Sequence, residues 1–384
     1  MAKSKIRVRN IIAICSAVVL VAVAAFGAVW WDRTFFRDDD EYDTLSKPAV
    51  EVSIYTEPVS LLSSKARKFI KTPDCDVAEF YEQYSGDGRM DIGAPVKWTY
   101  TLTGDVSATA VSLQVADNEE MKNARTFADD NLDASVDVWN LNTNTQYFYE
   151  ATIALSDGQT VKVGGSFKTA DTPRMLNIDG LVNVRDFGGR KTTDGQRIRQ
   201  NLLYRGSEMD GAVEEEYAIT EQGVEQMLTE LNIKTDMDLR IKYNDTGVLP
   251  LGEDVQRTFY EMVAYEDCFT MRGNGLVKKV FVQLADEKNY PVYLHCTYGL
   301  DRTGTVCYLL GALLGMSEED LETDYRLSAL ALGRLTPDAY AEFKDKLNTY
   351  EGATLQEKTE NYLLSAGVSE QEIAAIRSIF LEKE

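Results

Sequence analysis

The ten residues from His295 to Gly304 bring together the side chains that attack on a phosphate ester requires. They read His-Cys-Thr-Tyr-Gly-Leu-Asp-Arg-Thr-Gly, with five residues between Cys296 and Arg302. A planar guanidinium binds two phosphate oxygens at once, which makes Arg302 a candidate phosphate ligand. A thiol beside a guanidinium and a helix N-terminus ionises readily, and a thiolate attacks phosphorus to form a covalent phosphoenzyme. We therefore expect Cys296 to act as a nucleophile.

The elements around this segment are predicted to form a phosphate cradle. The apolar run 292–294 predicts a buried strand, and the pattern from Thr305 to about Gly315 predicts a helix. A tight loop between them would aim backbone N–H groups at an anion, with the helix N-terminus behind them. Gly299 is expected at positive φ, and Gly304 is expected to let the helix start pack closely. The predicted loop residues are Thr297, Tyr298, Gly299, Leu300, Thr303 and Gly304, with the Thr303 hydroxyl hydrogen-bonded to the cysteine sulfur.

Three motifs carry a resemblance to a known family. A Cys-x5-Arg pattern alone arises by accident, but residues 295–304 resemble the signature of cysteine-dependent protein-tyrosine phosphatases, and their Asp-Arg-Thr-Gly end resembles the bacterial family with an HCxxGKDRTG loop. Residues 183–189 are similar to that family's N-F-R-D-L-G-G element. Residues 203–207 stand where the family has L-[FY]-R-S, and residues 238–240 match its D-L-R strand end. The resemblance implies an α/β domain over 174–384, a central sheet flanked by helices, that needs no metal or organic cofactor.

Two carboxyl groups are candidates for the general acid. Tyrosine phosphatases of the commonest kind use an aspartate on a Trp-Pro-Asp loop, but this chain has no tryptophan after Trp139. The resemblance implies a catalytic role for Asp301, which lies inside the loop. Asp267 precedes Cys296 by 29 residues and is the alternative, on a movable segment. The donor must be protonated to serve the leaving group, and Asp301 is preferred.

Four further residues are predicted to support the site. His295 is expected to orient the cysteine loop through ring hydrogen bonds, because the absence of a second histidine argues against a metal site. Arg185 and Asp186 are expected to shape the pocket, although Asp186 could instead bond its own backbone in an ordinary turn. Arg240 could likewise be part of a simple salt-bridged strand end.

The substrate class is inferred from one departure from the family pattern. Leu300 stands where the resembling family has lysine, a residue associated with multiply phosphorylated lipid headgroups. A more apolar site would suit phosphotyrosine in a protein, or another small phosphoester. The alternatives are a phosphoinositide or inositol-phosphate phosphatase and a phosphate-binding pseudophosphatase. A sulfurtransferase would lack the Asp-Arg-Thr-Gly continuation.

The N-terminal sequence predicts membrane attachment. Residues 11–31 are apolar, long enough to span a bilayer, between a basic tail (1–10) and an acidic linker (32–47). The charge asymmetry predicts a single-pass protein of the bacterial cell membrane with an extracytoplasmic catalytic domain, or a secreted one if the segment is a cleaved signal. A formal charge of −22 argues against nucleic-acid binding. The cysteines do not read as a disulfide framework, although Cys268 could protect an oxidised Cys296.

Residues 48–173 are predicted to form a β-sandwich. Segments 96–102, 110–115, 146–153 and 160–163 alternate between apolar and polar residues, with a hairpin turn at 156–158. The region resembles a fibronectin type III sandwich with Trp98 in its core, as a spacer or a binding module. Residues 61–84 are partly helical in character and fit no strand. Beyond the catalytic loop, helices are expected around 317–321, over 339–347 and from 369 onward.

Overall fold

The computed structural model describes residues 50–383, which form two compact units. Within that range the first unit holds 50–59, 95–138 and 144–170, and the second holds 60–94, 139–143 and 171–383. The predicted tail, membrane segment and linker (1–10, 11–31 and 32–47) lie outside the described residues. No helix within residues 50–383 is long and apolar enough to cross a membrane.

The first unit consists of two antiparallel sheets. Its seven strands are β1 (Val50–Val52), β2 (Val96–Leu102), β3 (Ala108–Ala116), β4 (Arg125–Ala128), β5 (Ser135–Val138), β6 (Gln146–Leu155) and β7 (Thr160–Lys168). They pair in the orders β1-β2-β5 and β4-β3-β6-β7. Trp98 is buried, and its ring centroid lies 6.2 Å from that of Tyr149. The predicted strands and the core tryptophan are confirmed, whereas the fibronectin type III assignment stays a prediction.

The second unit is built on a five-stranded sheet. The strands are β8 (Arg185–Asp186), β9 (Leu203–Gly206), β10 (Thr235–Asp238), β11 (Gln256–Phe259) and β12 (Val292–His295), in the order β11-β10-β12-β9-β8. All pairings are parallel except β8 with β9. Strand β12 is central, and its residues are buried because helices cover both faces of a parallel sheet. The carboxyl ends of β9, β10 and β12 therefore meet at one edge.

The helices of the second unit supply most of its apolar core. They are α1 (Ser64–Ile70), α2 (Val77–Tyr84), α3 (Glu221–Glu225, followed by a π-helical turn Gln226–Glu230), α4 (Met271–Leu284), α5 (Asp301–Leu314), α6 (Glu318–Leu327), α7 (Ala329–Leu332), α8 (Pro337–Leu347), α9 (Leu355–Ser365) and α10 (Glu370–Phe380). Short 3-10 turns cover Ser85–Asp87, Glu215–Tyr217, Lys242–Asn244, Tyr265–Phe269 and Glu287–Asn289. The predicted helices after the loop are confirmed, and α10 begins with a capping box at Ser369 and Glu372.

Residues 60–94 were predicted to belong to the sandwich, but the structure places them in the second unit. They form α1 and α2, whose apolar faces carry Phe69 and Phe80. These rings pack with Leu327 and Leu330 of α6 and α7 in one buried cluster. The helical spacing of apolar residues was visible in the sequence, but the surface that covers it lies more than 240 residues further along the chain.

Candidate active site

The predicted loop connects the central strand of the sheet to a buried helix. Strand β12 ends at His295, Cys296 follows immediately, and α5 begins at Asp301. Because β12 lies between β10 and β9, the loop opens at the carboxyl edge of the sheet, where parallel α/β folds bind their ligands. The predicted strand, loop and helix are therefore all present, in that order.

Five consecutive carbonyl groups of the loop point away from its interior. The carbonyl oxygens of residues 296–300 accept hydrogen bonds, in order, from His295 Nδ1 (3.2 Å), Glu208 N (3.0 Å), Asn183 Nδ2 (3.0 Å), Arg205 Nη2 and Gly304 N (2.9 Å). Gly299 has φ +70°, a left-handed conformation that glycine adopts without strain. A peptide that turns its carbonyl outward turns its N–H group inward.

The inward N–H groups form a cup for an anion. Within residues 50–383 the backbone N–H groups of 297–302 donate to no acceptor. The last two also belong to the first turn of α5, where the helix dipole is positive. Successive free N–H groups at a helix N-terminus fit the oxygens of a phosphate. Phosphate binding by this loop stays a prediction.

Cys296 and Arg302 lie at the two ends of the cup. Cys296 is 2% exposed, at the base of the loop. Arg302 is half-buried, and its Nη1 lies 3.5 Å from the Leu239 carbonyl oxygen at the end of β10. No carboxylate within residues 50–383 pairs with Arg302. Its charge is therefore available to an anionic ligand.

Asp301, the preferred general acid, is held by two hydroxyl groups. Its Oδ1 accepts hydrogen bonds from Tyr265 Oη (2.9 Å) and Thr336 Oγ1 (2.8 Å). The backbone N–H of Tyr265 donates to Thr305 on α5 (3.0 Å), which ties this tyrosine to the helix that carries Asp301. Asp267 is exposed on the 3-10 turn Tyr265–Phe269, and no side-chain bond within the described residues orients its carboxyl group. Of the two candidates, Asp301 is therefore the preorganised one.

His295 is a buried cation behind the loop. Its Nε2 lies 2.9 Å from Asp236 Oδ1, an ion pair whose direction departs from a linear hydrogen bond. Burial opposes protonation, but the charges of Asp238 and Asp236 outweigh it and raise the pKa of His295 to about 9. Nδ1 meets the Cys296 carbonyl oxygen at 3.2 Å. His295 thus contacts the cysteine loop through its ring, as predicted from the sequence.

The second unit matches a known protein family. The sequence model of the tyrosine phosphatase family matches residues 176–382, more than half of the chain. The chain belongs to the tyrosine phosphatase family. No curated protein matches it.

Two solved structures are similar to parts of this phosphatase. One is the core catalytic domain of the PP-IP phosphatase SIW14 from S. cerevisiae in complex with citrate, at 15% identity, a TM-score of 0.29, and 53% of this chain against 93% of that one. The other is a Siw14 catalytic core, at 16% identity, a TM-score of 0.30, and coverage of 49% and 95%.

A buried ion cluster fixes the position of the phosphatase loop from below. Asp324 on α6 pairs with Arg185 (3.0 Å), Arg190 (3.1 Å) and Arg205, and Arg205 also donates to the Gly299 carbonyl. Burial opposes the charge of Asp324, but the three guanidinium groups hold the pKa of its carboxyl well below the usual range. Burial and the charge of Arg205 lower the pKa of Arg185 to about 10. The Asp324 carboxylate on α6 thus holds the Gly299 carbonyl of the loop in place through Arg205.

The other predicted supporting residues have structural partners. Asp186 accepts from Arg174 (2.7 Å) and from the backbone of Gly188 and Asn201, so it closes the turn after β8 rather than facing the loop. Arg240 pairs with Glu208, Asp210 and Asp238 at 2.6–2.9 Å. Because the N–H of Glu208 donates to Thr297, the Arg240 cluster supports the cup on its second side.

Three expectations about individual loop and helix residues were wrong. Leu300 is fully buried in the apolar core, so it does not line the mouth of the site. The Thr303 hydroxyl is buried and has no hydrogen-bond partner in the structure, sulfur included. A Cβ on Gly304 would meet only Arg205 Nη2, at 3.7 Å, so close packing does not require glycine there. Cys268 is fully buried, its sulfur faces the Val263 carbonyl oxygen, and burial raises the pKa of its thiol far above the usual range; protection of Cys296 by this thiol stays untested.

Several functional residues were not singled out from the sequence. Asn183 and Arg205 lie inside the motifs at 183–189 and 203–207. A polar side chain next to a turn was the sequence feature that could have indicated their role. Glu208 and Asp324 carry no motif. Asp324 follows Leu321 by three residues and precedes Tyr325 on the buried face of α6, and an acid on an apolar helix face requires a buried cation.

Proposed function

We propose that this phosphatase hydrolyses phosphomonoesters through a cysteinyl-phosphate intermediate and that its substrates are phosphotyrosine residues in proteins. The observation that supports the reaction is the cup of free N–H groups over Cys296. Such a cup stabilises the equatorial oxygens of the transferring phosphoryl group, where negative charge accumulates, and Arg302 adds a fixed positive charge.

In the first step the Cys296 sulfur forms a bond to phosphorus while the bond from phosphorus to the ester oxygen breaks. The leaving oxygen takes a proton from Asp301. We assign that proton to Oδ2, because Oδ1 already accepts two hydroxyl groups. Water then attacks phosphorus, the sulfur leaves, and Asp301 recovers a proton from that water.

The charge distribution around the loop supports a monophosphorylated substrate. The arginines that surround the cup are neutralised in ion pairs: Arg185, Arg190 and Arg205 by Asp324, and Arg240 by three carboxylates. At the mouth, Tyr298 is half-buried and packs edge-on against Tyr217, with ring centroids 6.1 Å apart. Aromatic walls and one unpaired arginine suit a phenyl phosphate better than a polyphosphate.

The test is turnover by the purified full chain and by two cysteine variants. Cys296→Ser should lose about 10³-fold or more in kcat and form no trapped phosphoenzyme, whereas Cys75→Ser, at a half-buried cysteine whose sulfur accepts a hydrogen bond from Arg326 (3.5 Å), should match the wild type. Equal turnover by Cys296→Ser would exclude the mechanism, and a wild type that binds phosphate without turnover would make the chain a pseudophosphatase.

A leaving-group series separates the two candidate acids. Loss of the proton donor slows esters of basic leaving groups, such as phenyl phosphate, more than p-nitrophenyl phosphate, whose leaving group needs no proton. Asp301→Asn should show this pattern, and Asp267→Asn should not. The reverse pattern would transfer the role to Asp267.

The second candidate function is hydrolysis of inositol phosphates or phosphoinositides. Because Arg302 binds the phosphate that is transferred, the exposed Arg334, whose guanidinium lies 4.9 Å from the Tyr298 ring centre, would be the cation that meets a second phosphate. Comparing kcat/KM for a phosphotyrosine peptide, phytate and an inositol pyrophosphate decides between the two. A preference of about tenfold or more for either inositol compound would favour the second function.

We further propose that the first unit is a fibronectin type III-like module and that residues 11–31 anchor the chain in a bacterial membrane, with the phosphatase outside. The strand order of the first unit and the apolar N-terminal run support this arrangement. Fractionation of cells that express the full chain, followed by protease treatment of intact cells, tests it. Protection of the phosphatase unit from protease would refute the outward orientation.

A further inference from the structure

The helical segment of residues 60–94 is connected to the catalytic loop through Asn183, although it precedes the family-matched region 176–382. Its two helices pack through Phe69 and Phe80, whose ring centroids lie 5.0 Å apart, onto the buried face of α6 and α7. Arg326 of α6 lies over the Phe69 ring at 4.7 Å. The segment is thus bound to the same helices that carry Asp324.

Asp91, at the end of this segment, is a buried carboxylate. It is 3% exposed, and its Oδ2 accepts hydrogen bonds from the Asn183 backbone N–H (2.7 Å) and from Arg89 Nη2 (2.7 Å). Arg89 also donates to the Leu181 carbonyl oxygen (2.7 Å). Asp91 and Arg89 therefore hold the backbone on both sides of residue 182.

Asn183 transmits this contact to the phosphate cup. Its backbone is left-handed, with φ +59°, so its N–H and side chain can point to different partners. The side-chain Nδ2 donates to the Tyr298 carbonyl oxygen at 3.0 Å, and Oδ1 accepts from Arg185. Asn183 is thus the one residue between Asp91 and the Tyr298 carbonyl. The outward direction of that carbonyl keeps the N–H group of Gly299 inside the cup.

A second route from the segment reaches the same tyrosine. The Tyr81 ring lies against Gly333, where an added Cβ would come within 2.7 Å of Tyr81 Cδ1. The next residue, Arg334, covers the Tyr298 ring at 4.9 Å. The Tyr298 hydroxyl donates to Glu214, which fixes the ring from the other side.

We propose that residues 60–94 are a working part of the phosphatase, in which Asp91 is a positioning residue for the phosphate cup and Tyr81 positions the Arg334–Tyr298 pair at its mouth. The turnover measurements below depend on the proposed function, and the vanadate measurements do not. Residues 60–94 lie outside the region that the family model matches.

The test compares Asp91→Asn with Asp87→Asn in the full chain. Asp87 lies on the same segment, is exposed, and touches Lys65 only at 4.0 Å. Asn at position 91 keeps the size but weakens the bond to the Asn183 N–H, so the cup should loosen. We expect kcat/KM to fall about 10- to 100-fold with p-nitrophenyl phosphate, and orthovanadate to bind more weakly by a similar factor. Asp87→Asn should stay within about twofold of the wild type.

Circular dichroism will show whether Asp91→Asn is folded. If the folded variant binds vanadate within about twofold of Asp87→Asn, the positioning role of Asp91 is overturned. If Asp91→Asn fails to fold, Tyr81→Leu decides, because Tyr81 is only partly buried. This variant should raise KM for a phosphotyrosine peptide by about fivefold or more while keeping kcat. Unchanged KM would overturn the proposal. A wild type without turnover that binds vanadate would leave the positioning role standing and refute only the proposed function.

Discussion

Replacing Gly299 with alanine should damage the phosphate cup in two ways. At φ +70°, a left-handed conformation, any residue with a Cβ is strained by about 1–2 kcal/mol. The added Cβ would also lie 2.5 Å from the carbonyl oxygen of Gly206 and 2.7 Å from its carbonyl carbon. Those atoms end the neighbouring strand β9, so they cannot move away as a flexible side chain could. Opening the contact to an ordinary separation requires the loop to shift by roughly 1 Å.

A shift of this size at the catalytic loop should reduce kcat/KM about 100-fold, which corresponds to about 2.7 kcal/mol of transition-state stabilisation. The assay is steady-state hydrolysis of p-nitrophenyl phosphate, with orthovanadate affinity as a direct measure of the cup. Gly247→Ala is the matched control, because Gly247 has φ +71° and open space around its Cβ position. It should show the backbone strain in its unfolding free energy and no loss of activity. A folded Gly299→Ala enzyme with kcat/KM near that of Gly247→Ala would refute the geometry of the cup.

Three further predictions follow from buried charges and thiols. Asp324→Asn leaves three guanidinium groups without their carboxylate, so urea unfolding should show a loss of about 3 kcal/mol, and an unchanged midpoint would contradict the ion cluster. The folded-state pKa of His295, about 9, lies above the unfolded value of about 6.5, so its stabilisation is complete below pH 6.5 and lost as pH rises through 9. His295→Gln should flatten the unfolding free energy across that window, and an equally steep decline would count against it. Iodoacetamide should label Cys296 in the native protein, and vanadate should protect it. Cys268 and Cys307 should stay unlabelled, because burial raises the pKa of the Cys268 thiol and raises that of Cys307 to about 11. Fast labelling of Cys307, detected by mass spectrometry, would contradict this expectation.

Local features of the catalytic unit were predictable because they depend on neighbours in the chain. The strand ending at His295, the positive φ of Gly299 and the helix up to about Gly315 follow from apolar runs, glycine and spacing within some twenty residues. The same holds for α10, whose start is written as Ser369 followed three residues later by Glu372. In the first unit, the alternating pattern located β2 with its correct ends.

Long-range features were not predictable from one sequence. The place of Leu300 in a polar loop suggests exposure to solvent, yet its side chain lies in the apolar core. The partners of the loop carbonyls come from residues up to 115 positions away, and no periodicity connects them. Strands β4 and β5 were missed as well. Each has four residues, and the pattern of an edge strand such as β4 is only partly buried.

The way this phosphatase uses its arginines bears on what it can bind. Among residues 50–383, Asp324 neutralises three guanidinium groups near the loop, and the carboxylates near Arg240 neutralise two more, those of Arg240 itself and Arg257. Those pairs act on the substrate indirectly, by holding peptide carbonyls outward so that N–H dipoles converge inside. Under the proposed function, a site built this way would recognise the oxygens of one phosphate through geometry, with Arg302 in the cup and Arg334 over the Tyr298 ring as the charges that meet the substrate. Glu214→Lys would add a cation beside Tyr298, at the mouth of the site. This variant should therefore raise kcat/KM for phytate relative to a phosphotyrosine peptide by about tenfold. An unchanged ratio would show that charge at the mouth does not determine substrate preference.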